Sequence, residues 1–238
     1  MKRIIFVLLS IALFSAPGFA RADRHLELTL DVTPTAVLDD SFEFFASSRL
    51  AMDSYGADVR FEVADVKDAL HILPFISYRY AKESGYPEFA DNGAMNTDIR
   101  VRDLTGGVRL RGWFLPWLGA FGQASAGATF IDMHGELDQL GNEGMKDTYA
   151  AKKTKWNLGA SFGAEFRISP NYLKRKKIRN FNVGGEIGFG FIKRGRTNFK
   201  PSLSGGDEYS IESDRTVNFG DFDLSGITFN LGLTFSFF

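Results

Sequence analysis

Along most of this chain, large apolar residues alternate one for one with small or charged ones. Residues 225–238, SGITFNLGLTFSFF, show it best. Ile227, Phe229, Leu231, Leu233, Phe235 and Phe237 share one face of an extended strand; Thr228, Asn230, Gly232, Thr234 and Ser236 share the other. The pattern recurs over 26–33, 55–65, 69–80, a segment ending at Phe114, 118–131, 155–168 and 178–193. Leu104, Val108, Leu110 and Phe114 oppose Arg109 and Arg111, for example, and Trp156, Leu158, Phe162 and Phe166 oppose Asn157, Ser161, Glu165 and Arg167. Pro74, in mid-strand, removes a ladder donor and predicts a local bulge.

Short turns at 66–68, 115–117 and 169–177 alternate with polar stretches at 34–54, 81–97, 132–152 and 194–223. A sheet whose strands show an apolar row outward and a polar row inward suits a barrel in lipid, with short periplasmic turns and long outer loops. The parity gives eight antiparallel strands with both ends in the periplasm. Ten strands are the alternative, which requires dividing 34–54, where Phe42 to Met52 reads as a further strand, and finding another strand elsewhere.

Composition adds aromatic weight and removes other classes. Twenty-four phenylalanines and 25 glycines against seven prolines suit a sheet with an aromatic outer surface. No later apolar run reaches the length of a spanning helix. At the start, Lys2 and Arg3 precede the apolar run Ile4–Phe14 and small residues up to Ala22. Residues 1–22 therefore read as a secretory signal, cleaved after Ala20 or Ala22, and 23–238 as one barrel domain. Cleavage after Ala20 removes Lys2 and Arg3 and leaves 26 Lys+Arg against 29 Asp+Glu, a balance that does not suit nucleic acid. The absence of cysteine excludes disulfides and a lipidated cysteine.

The inward row holds Glu27, Asp31, Asp58, Arg60, Glu62, Arg79, Arg109, Arg111, Glu165, Arg167 and Glu186. Six acids and five arginines inside a narrow barrel are expected to pair, because an unpaired buried charge is costly. The alternative is a narrow conduit whose pairs rearrange, with Gly159, Gly163, Gly184, Gly188 and Gly190 leaving room. No catalytic, cofactor or metal residues are assigned. Gly159–Gly163 matches G-x-S-x-G, but within unbroken alternation rather than at a strand-to-helix turn. Of the three histidines, His71 falls near a periplasmic turn and His134 at the outer rim beside Asp132 and Glu136. A rim hydrolase would need a serine or acid within reach of His134. Lys174–Lys177 with Arg179 form a basic turn suited to anionic headgroups. Tyr78, Tyr80, Trp113, Phe114, Trp117 and Trp156 are expected in interfacial girdles.

With its alternating strands, long outer loops and aromatic final strand, the mature chain resembles the small bacterial outer-membrane barrels of the OmpA, OmpX and OmpW kind. That resemblance implies a monomer in the outer membrane of a Gram-negative cell. Its surroundings would be outer-membrane lipids and lipopolysaccharide, and barrel-assembly machinery would read strand 225–238. A structural or adhesive role is expected first. A narrow solute channel and a lipid hydrolase follow.

Overall fold

The computed structural model describes residues 25–39, 51–66, 70–85, 88–89, 93–138, 146–168, 172–173, 181–198, 202–204 and 221–237. The expected signal at 1–22 and the basic turn at 174–179 lie outside them. Eight long strands are present: β1 (Leu26–Val37), β2 (Ala51–Phe61), β3 (Leu70–Gly85), β4 (Gly93–Leu115), β5 (Leu118–Asp138), β6 (Lys146–Arg167), β7 (Phe181–Arg194) and β8 (Gly226–Phe237). Each pairs antiparallel with its sequence neighbours. β1 closes the sheet on β8, from Leu26 opposite Phe237 to Val37 opposite Gly226. The barrel has eight strands, not ten.

The outward row is apolar over the lower part of every strand. Leu30, Ile76, Leu104, Leu158, Phe162, Phe189 and Leu231 are exposed on it. A soluble protein would not leave such a belt bare, and a bilayer covers it.

The strands run further than the alternation suggested. β4, β5 and β6 have 23, 21 and 22 residues, whereas roughly 10 tilted residues cross a bilayer. Much of the polar stretches at 81–97 and 132–152 is therefore strand, not loop. The alternation keeps its phase, but the chemistry of the two faces swaps at one row. Below it, Leu104, Ala128 and Trp156 lie side by side and face out. Two residues higher on each strand, Arg102, Phe130 and Thr154 take that place, then Arg100, Asp132 and Lys152.

On the inner face, Val101 and Ile131, then Ile99 and Met133, replace the polar side chains. With Val37, Met52, Ala81, Phe222 and Leu224 they form a buried apolar core at the outer end of the barrel. Outside the membrane the barrel is built like a soluble protein.

Two local irregularities matter below. A register shift between Trp113 and Leu115 precedes the Pro116–Trp117 turn. The second belongs to Pro74. The β3–β4 ladder passes it without a shift, Leu73 facing Arg109 and Pro74 facing Val108. The ladder to β2 breaks instead. It runs to Arg60 opposite Phe75, stops at Glu62–Val63, and resumes with Ala64 opposite Ile72, one residue out of step. Because the Ile72 carbonyl accepts from Val63 N–H at 3.0 Å, Ile72 and hence Pro74 turn their backbone edge toward β2. The missing proline N–H falls on that side, and the bulge forms where the donor is lost.

Candidate functional site

All eleven predicted interior charges point into the barrel, and ten belong to one connected network. At its upper end Arg79 bonds Asp31 through Nε at 3.2 Å and Nη2 at 3.0 Å, and reaches Asp58 at 3.4 Å. Asp58 accepts from Arg60 at 3.0 Å, and Arg60 grips both oxygens of Glu186 at 2.8 and 2.9 Å. Arg109 holds the same carboxylate from another strand and also pairs with Glu165. Glu165 accepts from Arg111 at 3.2 Å, and Arg111 donates twice to Glu27 at 2.8 and 2.9 Å. Glu62 ends the chain, 4.0 Å from Arg111 and 2.7 Å from His71 Nδ1.

The geometry follows from the pleat and the narrow lumen. Alternate residues face inward, and guanidinium groups reach carboxylates on strands that are not their neighbours, as Arg60 and Arg109 reach Glu186 and Arg111 reaches Glu27 and Glu165. Arg60 and Arg109 have no exposed surface. Charges this deep persist only when paired on several sides.

Arg167 departs from the expected pairing. It donates to the Pro116 carbonyl at 3.0 Å and stacks 3.7 Å from the centre of the Trp113 ring. Trp113 is correspondingly not a girdle residue. It shares the parity of Arg109 and Arg111, and its ring lies against Arg167 at the periplasmic mouth. Among the other expected girdle aromatics, Tyr78, Phe114, Trp117 and Trp156 are exposed.

A second polar layer lies under the apolar core, beyond the eleven charges that the alternation picks out. Arg194 donates to Asp103 at 2.6 Å and to the Leu224 carbonyl, and Asp103 also accepts from Thr129 and from Asn157 at 3.1 Å. The signal was present: Asp103 has the parity of Arg109, and Arg194 that of Glu186. Arg194 falls one residue past the alternation over 178–193 and so reads in sequence as the start of the polar stretch 194–223.

The inward glycines do not leave an open row. A Cβ on Gly188 would stand 3.0 Å from the Phe121 ring, and one on Gly190 2.9 Å from Thr228 Oγ1. Phe121, itself buried, fills the space with its ring 3.8 Å below the Arg109 guanidinium. Between the two polar layers lies a cavity of about 40 Å³, lined by Thr33, Arg79, Asp103, Gln123 and Ser161 among others. That volume suits a water or two.

At the rim His134 stands opposite Asp98 in the β4–β5 ladder, beside an outer hollow also lined by Asn96, Glu136 and Thr148. Its side chain makes no hydrogen bond to any of the described residues. The G-x-S-x-G serine, Ser161, lies in the middle of β6, and strand, not a turn into helix, continues after it to Arg167.

No family model matches the chain, and no curated protein matches it. Solved structures do. The outer membrane protease OmpT of Escherichia coli aligns over 94% of this chain and 99% of its own, at 8% identity and a TM-score of 0.50. Ail, the attachment invasion locus protein of Yersinia pestis, solved with the heparin analogue sucrose octasulfate, aligns over 91% and 100% at 12% identity and 0.47. Neisserial surface protein A covers 91% and 97% at 8% and 0.43. Likeness at such identities concerns the fold. Together with the closed eight-stranded sheet and its apolar belt, it establishes the chain as a small bacterial outer-membrane β-barrel, resident in the outer membrane.

Proposed function

We propose that the protein is a non-conducting surface barrel, a rigid support whose outer strand extensions and loops do the work of contact or adhesion. One observation carries this reading: among the described residues the interior is occupied at the mouth, the middle and the outer end, with one cavity of about 40 Å³ between the polar layers. Trp113 and Arg167 occupy the periplasmic mouth, the ion pairs fill the middle, and an apolar core seals the outer end. An ion crossing that core would lose its hydration with no polar group to replace it.

The lipid partners in this reading are ordinary outer-membrane lipids and lipopolysaccharide. Lys82, Arg100, Arg102 and Lys152 face outward just above the apolar belt, where the phosphates of an outer leaflet would sit. β8 would be the strand read by barrel-assembly machinery, and the barrel would act as a monomer. The rim-hydrolase alternative rests on His134 with Asp98 and Glu136 beside the same hollow, and among the described residues no acid or serine bonds His134, so the non-enzymatic reading is preferred.

The test is conductance of the refolded protein in a planar lipid bilayer, beside Arg109→Ala. Silence from folded protein supports the filled barrel. Stable current steps that change in the variant would overturn it and make the interior charges functional.

A further inference from the structure

The bulge opposite Pro74 does more than absorb a missing hydrogen bond. Before it, Asp58 and Arg60 of β2 and Glu62 just after its end face the barrel interior. After it the strand is out of step by one, and Asp65 lies directly opposite His71. Cross-strand partners share a face, so the bulge turns Asp65 to the side of His71. Without the shift Asp65 would have followed Val59, Phe61 and Val63 outward. With it, one ligand atom each from Glu62, Asp65 and His71 lie within 4.8 Å of one another at the periplasmic mouth.

We propose that Glu62, Asp65 and His71 bind a divalent transition-metal ion, with Zn²⁺ as the best fit. Two carboxylates and one imidazole supply three ligands and leave a position open for water. A mixed nitrogen and oxygen set favours first-row metals over Mg²⁺ or Ca²⁺, which prefer oxygen throughout. His71 Nδ1 and Glu62 Oε1, 2.7 Å apart, need separate only slightly to take an ion between them. Glu62 is steadied on its other side by Arg111, 4.0 Å from Oε2, and its backbone N–H donates to the His25 carbonyl at 3.0 Å. Arg111 donates chiefly to Glu27 and Glu165, so it does not cancel the negative charge of the cluster. The bound ion would staple the end of β2 to the start of β3 beside the first periplasmic turn.

The experiment is a calorimetric Zn²⁺ titration of the protein refolded in lipid vesicles, with thermal unfolding read in parallel. One equivalent should bind and raise the unfolding midpoint. His71→Ala and Asp65→Asn should each weaken binding by on the order of tenfold or more. Asp65 is exposed, so D65N serves as the variant that keeps the fold. His134→Ala, at the other end of the barrel, should bind as the parent does, and Mg²⁺ should not compete. Absence of binding, undiminished binding in both D65N and H71A, or loss in H134A would each overturn the assignment.

Discussion

Arg109 holds Glu186 with both prongs of its guanidinium, Nη1 at 2.7 Å from Oε2 and Nη2 at 3.2 Å from Oε1. The two residues are 77 apart in sequence and come from β4 and β7, which are not neighbours in the sheet. Their contact therefore spans the lumen. A contact of this kind ties the wall together from within and occupies the middle of the lumen.

Removing Arg109 should destabilise the barrel. In Arg109→Ala, Glu165 and Glu186 lose a buried partner, for which about 3–5 kcal/mol is usual. Arg60 still holds Glu186 and Arg111 still holds Glu165, which places the expected loss near the lower end. Reversible urea unfolding in lipid vesicles measures it. A loss under 1 kcal/mol would show that the network is locally redundant.

Gly188 and Phe121 should be coupled. A side chain at Gly188 meets the Phe121 ring at 3.0 Å and the Phe162 carbonyl at 3.0 Å. Gly188→Val should cost about 1–3 kcal/mol by overpacking. Adding Phe121→Ala should recover part of that loss, giving a non-additive double-mutant cycle. Strict additivity would mean that the backbone contact, not the ring, sets the penalty.

The outer core should behave as a soluble core does. Phe222 is buried among Ile99, Val101, Ile131 and Met133, and Phe222→Ala should cost about 3 kcal/mol. The loss should be as large in detergent as in lipid, because no lipid reaches this site. Unfolding in both media tests it.

Acid should loosen the segment that carries Phe222 and Leu224. Burial alone would raise the Asp223 carboxyl, but bonds from Lys193 at 2.6 Å and from Ser225 outweigh it and hold it below its usual value. A carboxyl lowered in the folded state contributes stability above its unfolded pKa and loses it as pH falls through the folded one. Exchange of the Ser225 amide, which donates to Asp223 at 3.0 Å, should therefore accelerate relative to its intrinsic rate below the ordinary carboxylate range. Asp223→Asn should flatten that dependence.

The alternation of residues 225–238 and its seven counterparts already contained the strand count, the lipid face and the inward direction of all eleven charges. Period-2 geometry leaves one choice of face once lipid claims the apolar row. What the alternation left undetermined was pairing across the lumen, since Glu186 meets Arg60 and Arg109 only after the sheet closes. The outer core was hidden for a related reason. Above Leu104 the polar row turns outward, and in sequence Asp132, His134 and Glu136 look like a loop. Only tertiary structure shows Ile131 and Met133 meeting Phe222. Asp65 is the sharpest case. Local alternation pointed it outward, and a proline nine residues later, on the facing strand, turned it toward His71 through a hydrogen bond that cannot form.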